Sequence, residues 1–270
     1  MVYHATEHTL DRAGSRLHYW LAGPAAAPLV VLAHGMTLDH RMFEQQMPVL
    51  ADTYRVLAWD MRGHGRSQPA GDTFTIDLLV ADLLAILEHA GHHQAIMVGH
   101  SLGGIVAQEL AFRQPERVAG LMAWGCSCIT LPPARPLALA TRGARPALQL
   151  LRLLPYWPLL RLSAERMAER PAVRAQAVAL ASRIPRALFL QILAALATSL
   201  HAEPGYRFTR PLLIAYGERD RYGNPRRAAH AWAARDRQAQ VIAIPGAGHN
   251  ANQDNPAAFN RALLAFLAAL

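Results

Sequence analysis

Ala95-Ile96-Met97-Val98-Gly99-His100-Ser101-Leu102-Gly103-Gly104 is the stretch on which the reading of this chain turns. Ala95 to Val98 is an apolar, strand-like run, and from Leu102 to Gln114 the pattern becomes that of a helix. Between them stands G-x-S-x-G, the signature of a sharp strand-to-helix turn with an exposed serine. Glycine is demanded at Gly99 and Gly103 because such a turn brings them against neighbouring backbone. Ser101 is then held in a strained conformation that projects its hydroxyl, and the helix N-terminus behind it supplies a field that favours an oxyanion. Ser101 is the candidate nucleophile.

Working outward, the same rhythm recurs on both sides. Leu29 to Ala33 and Tyr54 to Trp59 read as buried parallel strands ending at His34-Gly35 and Asp60. Phe43, Met47 and Leu50 predict a helix between them, and Ile76, Leu79, Val80, Leu83, Leu84 and Leu87 mark one helical face after them. Further strands are expected at Val118 to Trp124, Leu212 to Tyr216 and Gln240 to Ile244, followed by a C-terminal helix carrying Phe259, Leu263, Phe266 and Leu267. Strand-helix alternation implies an α/β architecture, a mostly parallel sheet with helices on both faces. At its edge an antiparallel hairpin is expected, with Leu10 to Ser15 as the connection. The rhythm breaks once, over 129–208, where leucines, arginines and helix-breaking prolines (Pro132, Pro133, Pro136, Pro146, Pro155, Pro158) replace strands. The expected division is a core of 1–128 with 209–270 and a helical lid of 129–208.

Composition narrows the class. The 270 residues are 52% apolar, enough for one large domain with a deep core and too many for a disordered chain. All 27 basic residues are arginines against 19 acidic ones, but no run of five or more basic residues appears, so no nucleic-acid partner is expected. Cys126 and Cys128 sit too close together to close a useful loop and lack a zinc-ligand pattern around them. No stretch reaches the roughly 18 apolar residues of a spanning helix, and Glu7, Asp11 and Arg12 interrupt the N-terminal region; a soluble cytoplasmic protein is expected.

A serine hydroxyl is a poor nucleophile at neutral pH and needs a general base, which in turn needs an acid to fix its tautomer. Of 13 histidines, His249 stands in Pro245-Gly246-Ala247-Gly248-His249, directly after the last strand. Asp220, in Tyr216-Gly217-Glu218-Arg219-Asp220, follows the preceding strand, so Ser101, Asp220 and His249 each lie at a carboxyl strand end. An oxyanion hole requires two preorganised N–H donors. Leu102 supplies one, and Met36 in His34-Gly35-Met36 supplies the other.

With these motifs, together with Asp39-His40-Arg41 and the Asp60-Met61-Arg62-Gly63-His64-Gly65-Arg66-Ser67 loop, the chain resembles the α/β-hydrolase-fold serine hydrolases of the esterase, lactonase and perhydrolase type. The resemblance runs over nearly the whole length. It implies an eight-stranded, mostly parallel sheet, an acyl-enzyme route and no cofactor or metal. Haloalkane dehalogenases and epoxide hydrolases of this fold use an aspartate nucleophile, whereas position 101 is serine. Carbon-carbon hydrolases resemble the chain in their lid but usually carry a glycine-richer oxyanion loop and methionine where Leu102 stands. The resemblance makes His64 structural, with Asp60 and Arg62 tying neighbouring turns. A perhydrolase, a carbon-carbon hydrolase and a non-catalytic ligand-binding protein on the same fold are the alternatives.

The expected substrate is a small or medium uncharged ester or lactone, because the lid is rich in Leu, Ala, Phe and Trp. Arg135, Arg142 or Arg145 turned inward would instead favour a carboxylate-bearing substrate. Leu148 to Leu162 alternates apolar residues with Arg152 and Arg161, but Pro155 and Pro158 speak against one continuous interfacial helix, so membrane association is not expected. No nucleotide is expected, since the glycine-rich turn after the first strand lacks GxGxxG. Oligomeric state is not legible.

Overall fold

A computed structural model describes residues 4–132 and 155–270. Its centre is an eight-stranded sheet of β1 (Thr6–Arg12), β2 (Ser15–Ala22), β3 (Leu29–Ala33), β4 (Arg55–Asp60), β5 (Ala95–His100), β6 (Val118–Trp124), β7 (Leu212–Gly217) and β8 (Gln240–Ile244). In space the order is β1-β2-β4-β3-β5-β6-β7-β8. The β1–β2 and β2–β4 pairs are antiparallel, and the remaining pairs are parallel. Every residue of β3 and β5 is buried, as expected of continuous apolar strands covered on both faces.

Two local readings are corrected. The hairpin connection is only Ala13-Gly14, because the register already pairs Arg12 with Ser15 and Leu10 with Leu17. Ala13 at φ 45° and Gly14 at φ 73° give the positive-φ pair of a tight hairpin turn. The helix predicted through Phe43, Met47 and Leu50 is divided into a 3-10 turn, His40–Phe43, and a short α1, Met47–Ala51. Pro48 explains the break, since it has no N–H and its ring would meet the carbonyl four residues back.

Helices α2 (Ile76–His89) and α3 (Leu102–Arg113) pack against each other, and α3 lies against β5. Thr75 caps α2, its hydroxyl accepting from the Leu78 N–H at 3.1 Å. After β6 come α4 (Tyr156–Glu165), α5 (Pro171–Ala181) and α6 (Arg186–Thr198). After β7 come α7 (Pro225–Arg235), α8 (Ala251–Asp254) and α9 (Pro256–Ala268). Leu160 of α4, Ala177 of α5, Ile184 of the α5–α6 connection and Ile192 of α6 belong to the same buried cluster as Leu57, Met97 and Trp124 of the sheet. Each of the leucine and isoleucine side chains among them contributes about 1.5–3 kcal/mol by burial.

Among the described residues no single helix is long and apolar enough to cross a membrane. The bent pair α5–α6 has the length and composition together, but its two halves meet at 106°. Arg135, Arg142, Arg145 and the Leu148 end of the basic apolar run lie outside the described residues.

Candidate active site

The turn between β5 and α3 has no room for side chains. A Cβ on Gly99 would stand 2.6 Å from the Gly103 carbonyl oxygen, and one on Gly103 would overlap the Ala33 carbonyl at the end of β3. The packed backbone forces Ser101 to φ 48°, ψ −112°, a conformation that L residues rarely adopt. Ser101 is fastened by its N–H to the Trp124 carbonyl at 2.9 Å and accepts from the Ile105 N–H at 3.0 Å. Its side chain therefore leaves a fixed point at the carboxyl edge of the sheet.

The loops after β7 and β8 are zipped together, the Glu218 N–H bonding Ile244 O at 3.1 Å and the Arg219 N–H bonding Ala247 O at 2.8 Å. This pairing brings Asp220 and His249 together, with His249 Nδ1 2.9 Å from Asp220 Oδ2. Both side chains are almost wholly buried, at 6% and 0% exposure, so their bond is shielded from competing water. A carboxylate only accepts, so Nδ1 is the donor in this pair. The His249 ring also lies 4.6 Å from that of His100, the chain neighbour of Ser101. Gly125 makes this approach possible: a Cβ there would stand 2.8 Å from His249 Cε1 and 3.3 Å from His100 Cδ2. Among the described residues no hydrogen bond joins Ser101 Oγ to His249.

Gly35, after β3, lies against the same turn, its absent Cβ 3.4 Å from Ser101 Cβ. The N–H groups of Met36 and Leu102 donate no hydrogen bond among the described residues, so both remain available to an anion. The profile of the alpha/beta hydrolase family matches residues 30–262.

The chain belongs to the α/β hydrolase family.

This α/β hydrolase is similar to epoxide hydrolase A of Mycobacterium tuberculosis, 39% identical over 121 residues, which are 44% of this chain and 38% of that protein. It is likewise similar to 3-oxoadipate enol-lactonase 2 of Acinetobacter baylyi, 34% identical over 116 residues, 43% of each chain. The matched part is thus less than half the length of these curated relatives. Among solved structures, a hydrolase from Pseudomonas aeruginosa PA01 matches at TM-score 0.79 and 27% identity, covering 97% of this chain and 98% of that one.

Around the site the hydrolase buries three further imidazoles. His34 joins the first two strand exits, its Nε2 accepting from the Met61 N–H at 2.9 Å and its Nδ1 bonding Gly35 O at 2.7 Å. Burial lowers its pKa, and burial takes that of His64 down to about 3. Burial, aided by nearby His249, holds His100 well below the usual histidine range. All three are therefore uncharged at neutral pH. His64 bonds Arg62 O at 3.1 Å, in keeping with a structural role. Arg62 forks onto Asp82 at 2.6 and 2.8 Å, while Asp60 accepts from the His40 and Arg66 N–H groups at 2.8 and 2.7 Å. Asp60 thus ties neighbouring turns, while Arg62 holds its loop to α2 through Asp82 and to two further turns through Ala13 O and Ala70 O.

Asp39, His40 and Asp60 are a group whose donor atoms, all within 4.8 Å, could hold a metal ion. Arg41 already lies 2.6 Å from Asp39, a fixed cation in that place. Burial raises the Cys126 thiol to about 12, so it stays protonated.

Three residues near the site were not found by sequence reasoning. His100 Nε2 bonds the His249 carbonyl oxygen at 3.1 Å. Tyr222 packs its ring 4.7 Å from that of His249, gives its N–H to Asp220 Oδ1 at 2.8 Å and bonds Ser163 Oγ of α4 at 2.9 Å through its hydroxyl. Asp254 lies five residues beyond His249 and accepts from the Gly248 N–H at 2.8 Å. An acidic residue five positions past the histidine was the one signal available for it.

Proposed function

We propose that this hydrolase cleaves a carboxylic ester or lactone through an acyl-enzyme, with Ser101 as nucleophile, His249 as general base and Asp220 as its orienting acid. The observation that carries the reading is a serine at the strained turn together with the 2.9 Å His249–Asp220 pair at the same sheet edge. In the first step Ser101 Oγ bonds to the carbonyl carbon while its proton passes to His249 Nε2. The carbonyl oxygen, now negative, is received by the Met36 and Leu102 N–H groups. Collapse breaks the bond to the leaving oxygen, which takes the proton from His249. Water then repeats the sequence, His249 removing its proton, and Ser101 is released with the acid.

The same chemistry argues against epoxide opening by Ser101, although some relatives carry that name. Serine attack on an epoxide carbon would leave an ether, which has no carbonyl for water to attack. An acyl carbon is the substrate centre that a serine nucleophile turns over. The segment 129–208, of which 133–154 lie outside the described residues, is proposed as the lid, with 1–128 and 209–270 as the core that carries the reacting groups.

A panel of p-nitrophenyl esters of increasing chain length, neutral lactones, anionic esters and a styrene-type epoxide tests the reading. Turnover of neutral esters or lactones without epoxide hydrolysis is expected. Hydrolysis of the epoxide with no turnover of any ester or lactone would overturn it.

A further inference from the structure

The loop that carries His249 is held from outside the sheet. Asp254, the last residue of α8, turns its carboxylate back so that Oδ2 accepts from the Gly248 N–H at 2.8 Å. The same carboxylate accepts from the Glu169 N–H at 3.0 and 2.9 Å and from the Arg170 N–H at 3.0 Å. Glu169 and Arg170 stand just before α5, where three of the carboxylate's bonds meet unsatisfied N–H groups and the positive end of the helix dipole. On the other side of His249, the Asn250 N–H bonds Met167 O at 2.8 Å. His249 is therefore flanked by a bond from Gly248 to Asp254, whose carboxylate holds the Glu169 and Arg170 N–H groups, and by a bond from Asn250 to Met167 O.

The fit is close. A Cβ on Gly248 would stand 3.2 Å from Asp254 Oδ2, 3.3 Å from Ala168 Cα and 3.3 Å from Met167 O, so a side chain there would press the loop and turn apart by a few tenths of an ångström. The turn is itself braced, with Arg174 donating to Ala168 O at 2.8 Å and to Glu169 O at 2.6 Å. The Arg170 guanidinium reaches Gln253 O at 3.1 Å. A carboxylate is acceptor-only and offers about four lone-pair sites, which is what three converging N–H donors require. A carboxamide would bring its own donor into one of those places.

We infer that Asp254 is a positioning residue for His249, clasping the histidine loop to the Met167–Arg170 turn so that the segment between β6 and β7 sets the aim of the general base. The inference rests on the acyl-transfer reading above. It makes that turn a fixed wall of the site, and it predicts that loosening the clasp damages the chemical step more than the binding of substrate.

The test compares Asp254→Asn and Asp254→Ala with the wild-type chain on p-nitrophenyl butyrate, with sites counted by fluorophosphonate titration. Per titrated site, kcat should fall about 10-fold in Asp254→Asn and about 100-fold in Asp254→Ala, with KM changed by less than about 3-fold, the pattern of a misplaced catalytic group. If Asp254→Ala does not fold, the near-isosteric Asp254→Asn carries the test alone. Unchanged kcat per site, with only a lower melting temperature, would make Asp254 structural and overturn the inference. Absence of any Ser101 label in the wild-type chain would overturn the acyl-transfer reading and the inference with it, and it is seen before any variant is made.

Discussion

The two halves of the candidate site are held in place by opposite means. Ser101 is positioned by backbone against backbone, at a turn where Gly99 and Gly103 leave no space for a Cβ and the strand ends do the fixing. His249 is positioned by side chains: Asp220, Asp254, Tyr222 and His100 each contribute a polar bond or a ring contact to its loop. Close-packed backbone has few alternative arrangements, whereas a set of hydrogen bonds can be removed one at a time. In the proposed mechanism the nucleophile side should therefore fail all at once and the base side by degrees.

The largest effect should come from the nucleophile side. Gly103→Val places branched carbon on the Ala33 carbonyl, and we expect either no folded protein or a loss of at least about 4 kcal/mol, read by urea unfolding. A stable Gly103→Val protein would mean that the turn has slack. Next comes Asp220→Asn, which keeps the loop but presents the wrong partner to Nδ1. It should retain the wild-type melting temperature within a few degrees while kcat drops by about 10³- to 10⁴-fold. Full activity in that variant would assign the acid to another carboxylate.

Smaller again is Tyr222→Phe, which keeps the ring on His249 and the N–H to Asp220 and removes only the hydroxyl's bonds to Ser163 Oγ and Ser163 O of α4. A loss of kcat/KM under about 10-fold is expected, and a loss as large as that of Asp220→Asn would contradict graded failure. A last effect concerns acid and is read in stability rather than in rate. His64 is uncharged in the fold, with its pKa at about 3, but takes a proton once unfolded, near its ordinary value of 6.5. The unfolded chain then binds more protons between those values, so stability is complete above about pH 6.5 and is lost as pH falls toward 3. The melting temperature of His64→Gln should consequently fall less steeply than that of wild type between pH 6.5 and 4. Parallel curves would place the acid sensitivity in His34, His100 or elsewhere.

Much of the sheet was legible because parallel strands buried on both faces write themselves as unbroken apolar runs. Leu29–Ala33 and Val118–Trp124 begin and end where the sequence placed them. The hairpin was harder, since β1 is half exposed and its charged residues look like connection although they belong to the ladder. The segment after β6 was the least legible. Leucine and alanine leave no clear period, and among the described residues Pro155 and Pro158, read as breakers, in fact belong to a helix start, as do Pro171 and Pro185. Pro155 caps α4 with Pro158 in its first turn, Pro171 opens α5 and Pro185 caps α6, all positions where an N–H would lack a partner anyway. Ser101, Asp220 and His249 could be chosen because each follows a strand. Asp254 and Tyr222 could not, because their partners Glu169, Arg170 and Ser163 lie far along the chain, in the segment with no readable pattern.

The central claim is that Ser101 becomes acylated with help from His249. Because the chain has no lysine, trypsin releases Ser101 in a single peptide, residues 67–113, in which Ser67 is the only other serine. Treatment with a fluorophosphonate and fragmentation of that peptide should place one phosphonyl group on Ser101 in the wild-type chain, none in Ser101→Ala, and a label formed at least about 10³-fold more slowly in His249→Ala. Equal labelling of wild type and Ser101→Ala, or a label on any other residue, would contradict the account.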